Sequence, residues 1–197
     1  MSENYRLIRD VRNSKVVVIH PIDEDQRILT HQLRRIACRV SEVWPIRESL
    51  LNGADAIFFL ADPGESNNLG YLSDWHQSAL IAIISYENPL ILHSITEIGI
   101  HGVITKPIRP IGVLANLLTT MSIFKYEGRL NARIAKLDET LKARRLVERA
   151  TRILAEHQKI AVDDAYARMR TEAMNKQVTI SEMANSIINA DTIFNKR

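Results

Sequence analysis

The sequence predicts an α/β domain built on a doubly wound parallel sheet, followed by a long coiled-coil helix and a small three-helix all-α module. Three observations predict it. Short β-branched runs, apolar on both faces, alternate with helical periods as far as Thr105. A seam of Leu130, Ile134, Leu137 and Leu141 then recurs at spacings of four, three and four. Beyond it lie amphipathic stretches rich in Ala and Met, each too short to be stable alone.

Lys15 to His20 (KVVVIH) is too short for a helix and apolar on both faces, the mark of a buried parallel strand. Asp25 to Ala37 reads as a helix, with Ile28, Leu29, Leu33 and Ile36 on one side and Arg27, Arg34 and Arg35 largely on the other. Arg39 to Trp44 is a short strand. Arg47 to Asn52 makes a helical turn or two ending near Gly53, and Ala56 to Leu60 (AIFFL) is another buried strand. Asp62-Pro63-Gly64 and Asn67-Asn68-Leu69-Gly70 mark a loop. Leu80 to Ser85 is a fourth strand, Leu90 to Glu97 an apolar-faced helix closed by Gly99, and Gly102 to Thr105 a fifth strand. Parallel strands need crossover connections, so five strands alternating with helices predict a flavodoxin-like sheet covered on both faces. Ile111 to Thr120 continues helically, with Val113, Leu114, Leu117 and Leu118 able to cover that sheet.

From about Ile123 to His157 the pattern is one continuous helix whose apolar face changes part-way. A four-three-four seam is what a helix needs to pair with a copy of itself. Past Leu141 the next seam positions are Arg144 and Glu148, while Leu146, Ala150, Ile153 and Leu154 lie about half a turn away, at about 100° per residue. The first part is therefore built to form a homodimer and the second to pack on the helices C-terminal to it. Gly128 weakens the run by about 1 kcal/mol relative to alanine without ending it. Lys142, Arg145, Arg149 and Arg152 form a basic row on the vacated side.

A second helix runs from about Val162 to Asn175, with Asp163 and Asp164 in its favourable first turn and Ala165, Tyr166, Met169, Ala173 and Met174 at helical spacing. Thr179-Ile180-Ser181-Glu182 is a capping box that opens a third helix to about Asn189. Function divides accordingly into residues 1–121, 122–146 and 147–197.

The net charge of +3 is uneven: residues 1–121 carry 11 Lys/Arg against 13 Asp/Glu, and 122–197 carry 15 against 10. Such an excess serves equally as a solvated helical face or as a surface for a polyanion. Cys38, the single cysteine, excludes an internal disulfide framework and a cysteine-rich zinc site and fits a reducing compartment. The first residues lack the apolar core of a signal peptide, and no apolar run is long enough to span a bilayer; a cytoplasmic protein with no membrane partner is expected. The six histidines show no metal-ligand spacing and no glycine-rich phosphate loop follows the first strand, so neither an enzyme nor a cofactor is expected.

Gly102-Val103-Ile104-Thr105-Lys106-Pro107, preceded by a Gly-closed helix and a strand ending in Ser85, resembles the end of a response-regulator receiver domain. That resemblance implies an acidic magnesium-binding pair after the first strand and a phosphate-accepting aspartate after the third. Here those positions hold His20-Pro21 and Leu60, which supply neither hard carboxylate ligands nor a nucleophilic oxygen. Asp23, Glu24, Asp25 and Asp62 lie nearby, so a slipped acidic pocket is the alternative. With phosphotransfer lost, Ser85 and Lys106 become structural residues. The Lys106–Pro107 bond is cis in receivers and trans in most X-Pro pairs.

Ala150, Ile153-Leu154, Ala165-Tyr166, Met169-Arg170, Ala173-Met174, Ala184 and Ile187-Ile188 resemble the ANTAR module, the RNA-binding domain of bacterial transcription antiterminators. The order of parts is similar to the amidase-type regulators of that family. The chain departs from many members in having Ala161 where they have a Ser or Asp cap, and Met169 where they have leucine. The resemblance implies a dimer that binds paired hairpins in leader RNA and so prevents a terminator from forming. It also implies a receiver-like domain sequestered by a negative regulator, a small-amide sensor similar to a periplasmic binding protein. Unstacked loop bases need a plane to stack on and cations for phosphate. Tyr166 and Arg170, spaced i, i+4, offer the plane, and Arg145, Arg149, Arg152, Arg168 and Lys176 the charge. A half-buried core tyrosine is the plainer reading of Tyr166. A DNA-binding response regulator and a protein-only signalling adaptor are the rival functions.

Overall fold

The computed structural model describes residues 11–46, 51–62, 72 and 77–194. Most of the helical turn expected from Arg47 to Asn52, and most of the loop expected between Asp62 and Gly70, lie outside them. The order is β1 (Lys15–Ile19), α1 (Glu24–Arg35), β2 (Arg39–Val43), β3 (Ala56–Leu60), β4 (Ala79–Ile84), α2 (Pro89–Ile98), β5 (Gly102–Thr105), α3 (Pro110–Gln158), α4 (Val162–Asn175) and α5 (Ile180–Phe194). Two compact units result, 1–128 and 129–197, with the division falling inside α3.

In the first unit the five strands are parallel in the order β2-β1-β3-β4-β5, the flavodoxin-like arrangement. β3 and β4 are buried throughout, which is why their sequences are unbroken apolar runs. Only Val43 of edge strand β2 is buried. One face of the sheet packs Val16, Val18, Phe58 and Ile81 against Leu29 and Leu33 of α1 and Val113, Leu117 and Met121 of α3. The other packs Val17, Ile57, Phe59 and Leu80 against Ile91 and Ile95 of α2.

Local chemistry sets the helix ends. Asp23 caps α1, its Oδ1 accepting from the Gln26 amide at 2.8 Å, with Glu24 and Asp25 at the positive end and Arg34 and Arg35 at the negative end. Asn88 caps α2 ahead of Pro89, and Gly99 closes it in the left-handed region at φ 74°. The expected helix from Ile111 is corrected at its start. Ile111 (ψ 127°) and Gly112 (φ 101°) are non-helical, so the regular rod begins after the glycine. From there it continues to Gln158, through Gly128, as the periodicity implies.

His101, before β5, ties the sheet to that rod. Its Nδ1 accepts from the Leu80 amide at 3.1 Å, its Nε2 faces Glu127 at 3.3 Å, and its ring meets Phe124 edge-on at 5.2 Å.

The receiver-like end of the sheet is occupied by its own side chains. His20 is buried, with Nδ1 donating to the Pro21 carbonyl at 2.7 Å. Lys106 Nζ donates to Asp23 Oδ2 at 3.0 Å and lies 3.8 Å from Asp25 Oδ2, while Asp25 Oδ1 accepts from the Ile108 amide. Burial opposes the charge on Asp23, but the Gln26 amide, Lys106 and His20 outweigh it and hold the carboxyl below its ordinary value. Ser85 donates to Asp62 Oδ2 at 3.0 Å. Asp23 and Asp25 thus serve a helix cap, a lysine and a loop amide, and no group of three metal-ligating side chains occurs among the described residues. The Lys106–Pro107 bond is cis.

Candidate nucleic-acid interface

The second unit is a bundle in which the C-terminal part of α3 packs on α4 and α5. Its core is small: Ala150, Met169, Ala173, Met183, Ala184 and Ile188 are buried, with Leu146, Val147, Ile153, Leu154, Ile180 and Ile187 packed around them. Alanine at the contact points lets the helices approach closely. The capping box forms as its residues suggest: Thr179 Oγ1 accepts from the Glu182 amide at 3.2 Å and Glu182 Oε2 accepts from the Thr179 amide at 2.7 Å. The Thr179 amide first, and the Thr179 hydroxyl donating to Oε2 at 2.8 Å second, hold the Glu182 carboxyl below its ordinary value. At the far end His157 Nε2 meets Asp191 Oδ1 at 3.0 Å, which helps carry α5 to Phe194, beyond the stop expected at Asn189.

The predicted seam lies open along α3. Leu130, Ile134, Leu137 and Leu141 are 45–56 % exposed. The change of face is also present, because Ala150 is buried and Leu146, Ile153 and Leu154 pack, partly buried, around the same core.

The seven residues expected to touch nucleic acid fall on more than one surface. Arg145, Arg149 and Arg152 line a shallow depression of about 220 Å3 along α3, bordered by Glu148 and Glu156. Arg152 also reaches a larger groove of about 590 Å3, where α3 contributes Arg144, Val147, Glu148 and Thr151, α4 contributes Val162, Asp163 and Tyr166, and the start of α5 contributes Ile180 and Ser181. Tyr166 is 43 % exposed and forms part of this groove, not of the buried core. Arg168 and Lys176 line a different groove of about 550 Å3 with Leu154, Met169 and Ile187, and Arg168 donates to Gln158 at 2.8 Å. Arg170 is exposed one turn after Tyr166 but lines none of the three. Met174, expected on the apolar face of α4, is 70 % exposed: it stands one residue past Ala173, about 100° round the helix from the buried row.

Sequence reasoning missed Arg144, Val147, Thr151 and Asp163 as groove residues. Arg144 looked only like the end of the seam, although its i, i+4 spacing to Glu148 was a readable signal and the two are 2.9 Å apart. Asp163 looked only like a helix-dipole residue. Lys142, in the expected basic row, is paired with Asp138 at 2.7 Å.

The sequence profile described as "AmiR, N-terminal" matches residues 14–121, over half of the chain, and the ANTAR domain profile matches residues 135–188. The chain belongs to the AmiR-like ANTAR regulators. The aliphatic amidase regulator of Pseudomonas aeruginosa is 27% identical over 191 residues, covering 95% of this chain and 97% of that protein. Among solved structures, a response regulator from Thermotoga maritima is similar with a TM-score of 0.50 at 15% identity, over 56% of this chain and 98% of that one. A fusion carrying the trimeric coiled coil of yeast Spc42 is similar at 0.53 and 10% identity, over 66% and 93%. These two likenesses show fold alone, and the receiver-like sheet of this AmiR-like regulator agrees with the first. All seven predicted contact residues fall inside the ANTAR match. No helix among the described residues is long and apolar enough to cross a membrane.

Proposed function

We propose that this AmiR-like regulator is a transcription antiterminator that binds paired hairpins in leader RNA as a dimer. The observation that carries this reading is the groove lined by both Tyr166 and Arg152, which shares Arg152 with the Arg145 and Arg149 surface. An exposed ring and adjacent guanidinium groups are what an unstacked loop base and its phosphates require. Supporting the dimer is the open row of four aliphatic side chains on α3. Residues 122–146 act as the pairing helix, 147–197 as the RNA-binding module and 1–121 as the controlling domain. Leu60 offers no nucleophile and Lys106 is held by Asp23 and Asp25, so control by sequestration on a ligand-sensing partner suits this domain better than control by phosphate.

A gel shift tests the reading, using the leader RNA of the encoding operon and a DNA duplex of the same sequence. The expected result is retardation of the RNA only, weakened by Arg149→Ala together with Arg152→Ala. Retardation of the duplex only identifies a DNA-binding regulator, and retardation of neither identifies a protein-only adaptor.

A further inference from the structure

We infer that the Tyr166 groove is a pocket for a single unpaired guanine, with Asp163 as the residue that selects it; this rests on the RNA-binding reading above. Val147, Val162 and Ile180 line the groove with apolar side chains, and Tyr166 and Asp163, one helical turn apart on α4, line it as well. Its volume of about 590 Å3 is in the range of sites that enclose one small ligand group.

Two carboxylates line the groove, and they differ. Glu148 accepts from Arg144 at 2.9 Å, whereas Asp163 has no hydrogen-bond or ion-pair partner among the described residues. An ionised carboxylate only accepts, and its two oxygens sit side by side. Guanine alone among the four bases presents two adjacent donors, N1–H and the N2 amine, on its pairing edge. Adenine and cytosine set one donor beside an acceptor, and uracil sets one donor between two acceptors. Both oxygens of Asp163 can therefore be satisfied by guanine and by no other base.

The start of α4 complements the remaining acceptor. Ala161 stands at the cap position and gives no side-chain bond, so the first-turn amides beside Asp163 have no capping oxygen and are available to the guanine O6. Tyr166 supplies the stacking plane, and Arg152, shared with the Arg145 and Arg149 surface, supplies positive charge for the flanking phosphate.

The test uses the full chain and a pool of RNA stem-loops with one fixed stem and a randomised eight-nucleotide loop, sorted by filter retention and sequenced. Wild-type protein should enrich guanine at one loop position about tenfold or more over each other base, the discrimination of a bidentate contact. The ratio of guanine to the other bases is the readout, not total retention. Asp163→Asn, which offers one acceptor and one donor, should collapse that ratio, and Tyr166→Phe should keep it. Inosine at the selected position, which lacks the N2 amine, should weaken wild-type binding several-fold, a measurement that needs no variant to fold. Unchanged guanine enrichment in Asp163→Asn, or inosine binding as well as guanosine, overturns the pocket while leaving RNA binding intact. If the wild-type chain retains no stem-loop, the RNA-binding reading itself fails.

Discussion

Replacing Leu137 and Leu141 with lysine should convert the protein to monomers. About half of each seam side chain is exposed, 45–56 % across Leu130, Ile134, Leu137 and Leu141. Full burial of a Leu or Ile contributes about 1.5–3 kcal/mol, so covering the exposed half contributes about 0.8–1.5 kcal/mol for each residue. Four residues from each of two chains give about 6–12 kcal/mol before the cost of association, which is at least about 4 kcal/mol. The double substitution removes half of the favourable part, about 3–6 kcal/mol, and faces like charges across the seam. The dimer Kd should rise at least about a hundredfold. Lysine is nearly as good a helix former as leucine, so α3 itself should survive and the experiment isolates pairing. Sedimentation velocity over a dilution series reads the outcome, with circular dichroism to confirm helix content. A dimer that persists over the same concentrations would refute the pairing argument.

Three further outcomes are expected. Incubation with acetyl phosphate should leave no aspartyl phosphate; mass spectrometry finding one on Asp62 would restore a conventional receiver. Asp23→Asn should lower stability at neutral pH and converge on the parent in acid. The folded Asp23 carboxyl lies below its ordinary value, so its contribution is present above the unfolded pKa near ~3.9 and vanishes as pH falls through the folded value. Urea unfolding at pH 7 and at about pH 3 measures this, and an equal deficit at both would count against it. Gly102→Ala should cost about 1–3 kcal/mol by overpacking. A Cβ there would meet Thr120 Oγ1 at 2.2 Å and Asn116 Oδ1 at 3.2 Å, and Thr120 is buried. An unchanged urea midpoint would show that α3 gives way at no cost.

The fold was legible because its signals are local. β3 and β5 start and end where their apolar runs do, and α2 ends at Gly99 because that position needs a left-handed residue. The change of face in α3 followed from spacing alone. The misreadings have two sources. α5 continues past Asn189 with His157, a side chain from α3, on its Asp191, whereas at the start of α3 a local signal was passed over: Gly112 follows Pro110 closely and takes a φ of 101°, which glycine adopts readily. The site was half legible. Arg145, Arg149, Arg152 and Tyr166 could be singled out as candidates because charge and aromaticity show in one dimension, but their separation from Arg168 and Lys176 depends on how three helices pack. Asp163 had a sufficient local explanation, which concealed its place in the groove.

Lys106 bound to Asp23 and leucine at the end of β3 also fix how long a message held in this domain can last. A receiver that stores an acyl phosphate keeps its state after the donor has left, until hydrolysis erases it. At Leu60 no bond of that kind can be made, so under the sequestration proposed above any state of this sheet would persist only while its contact does. Such a domain would have no history to erase: its output would track the present ratio of regulator to binding partner, and it would reset at the speed of dissociation.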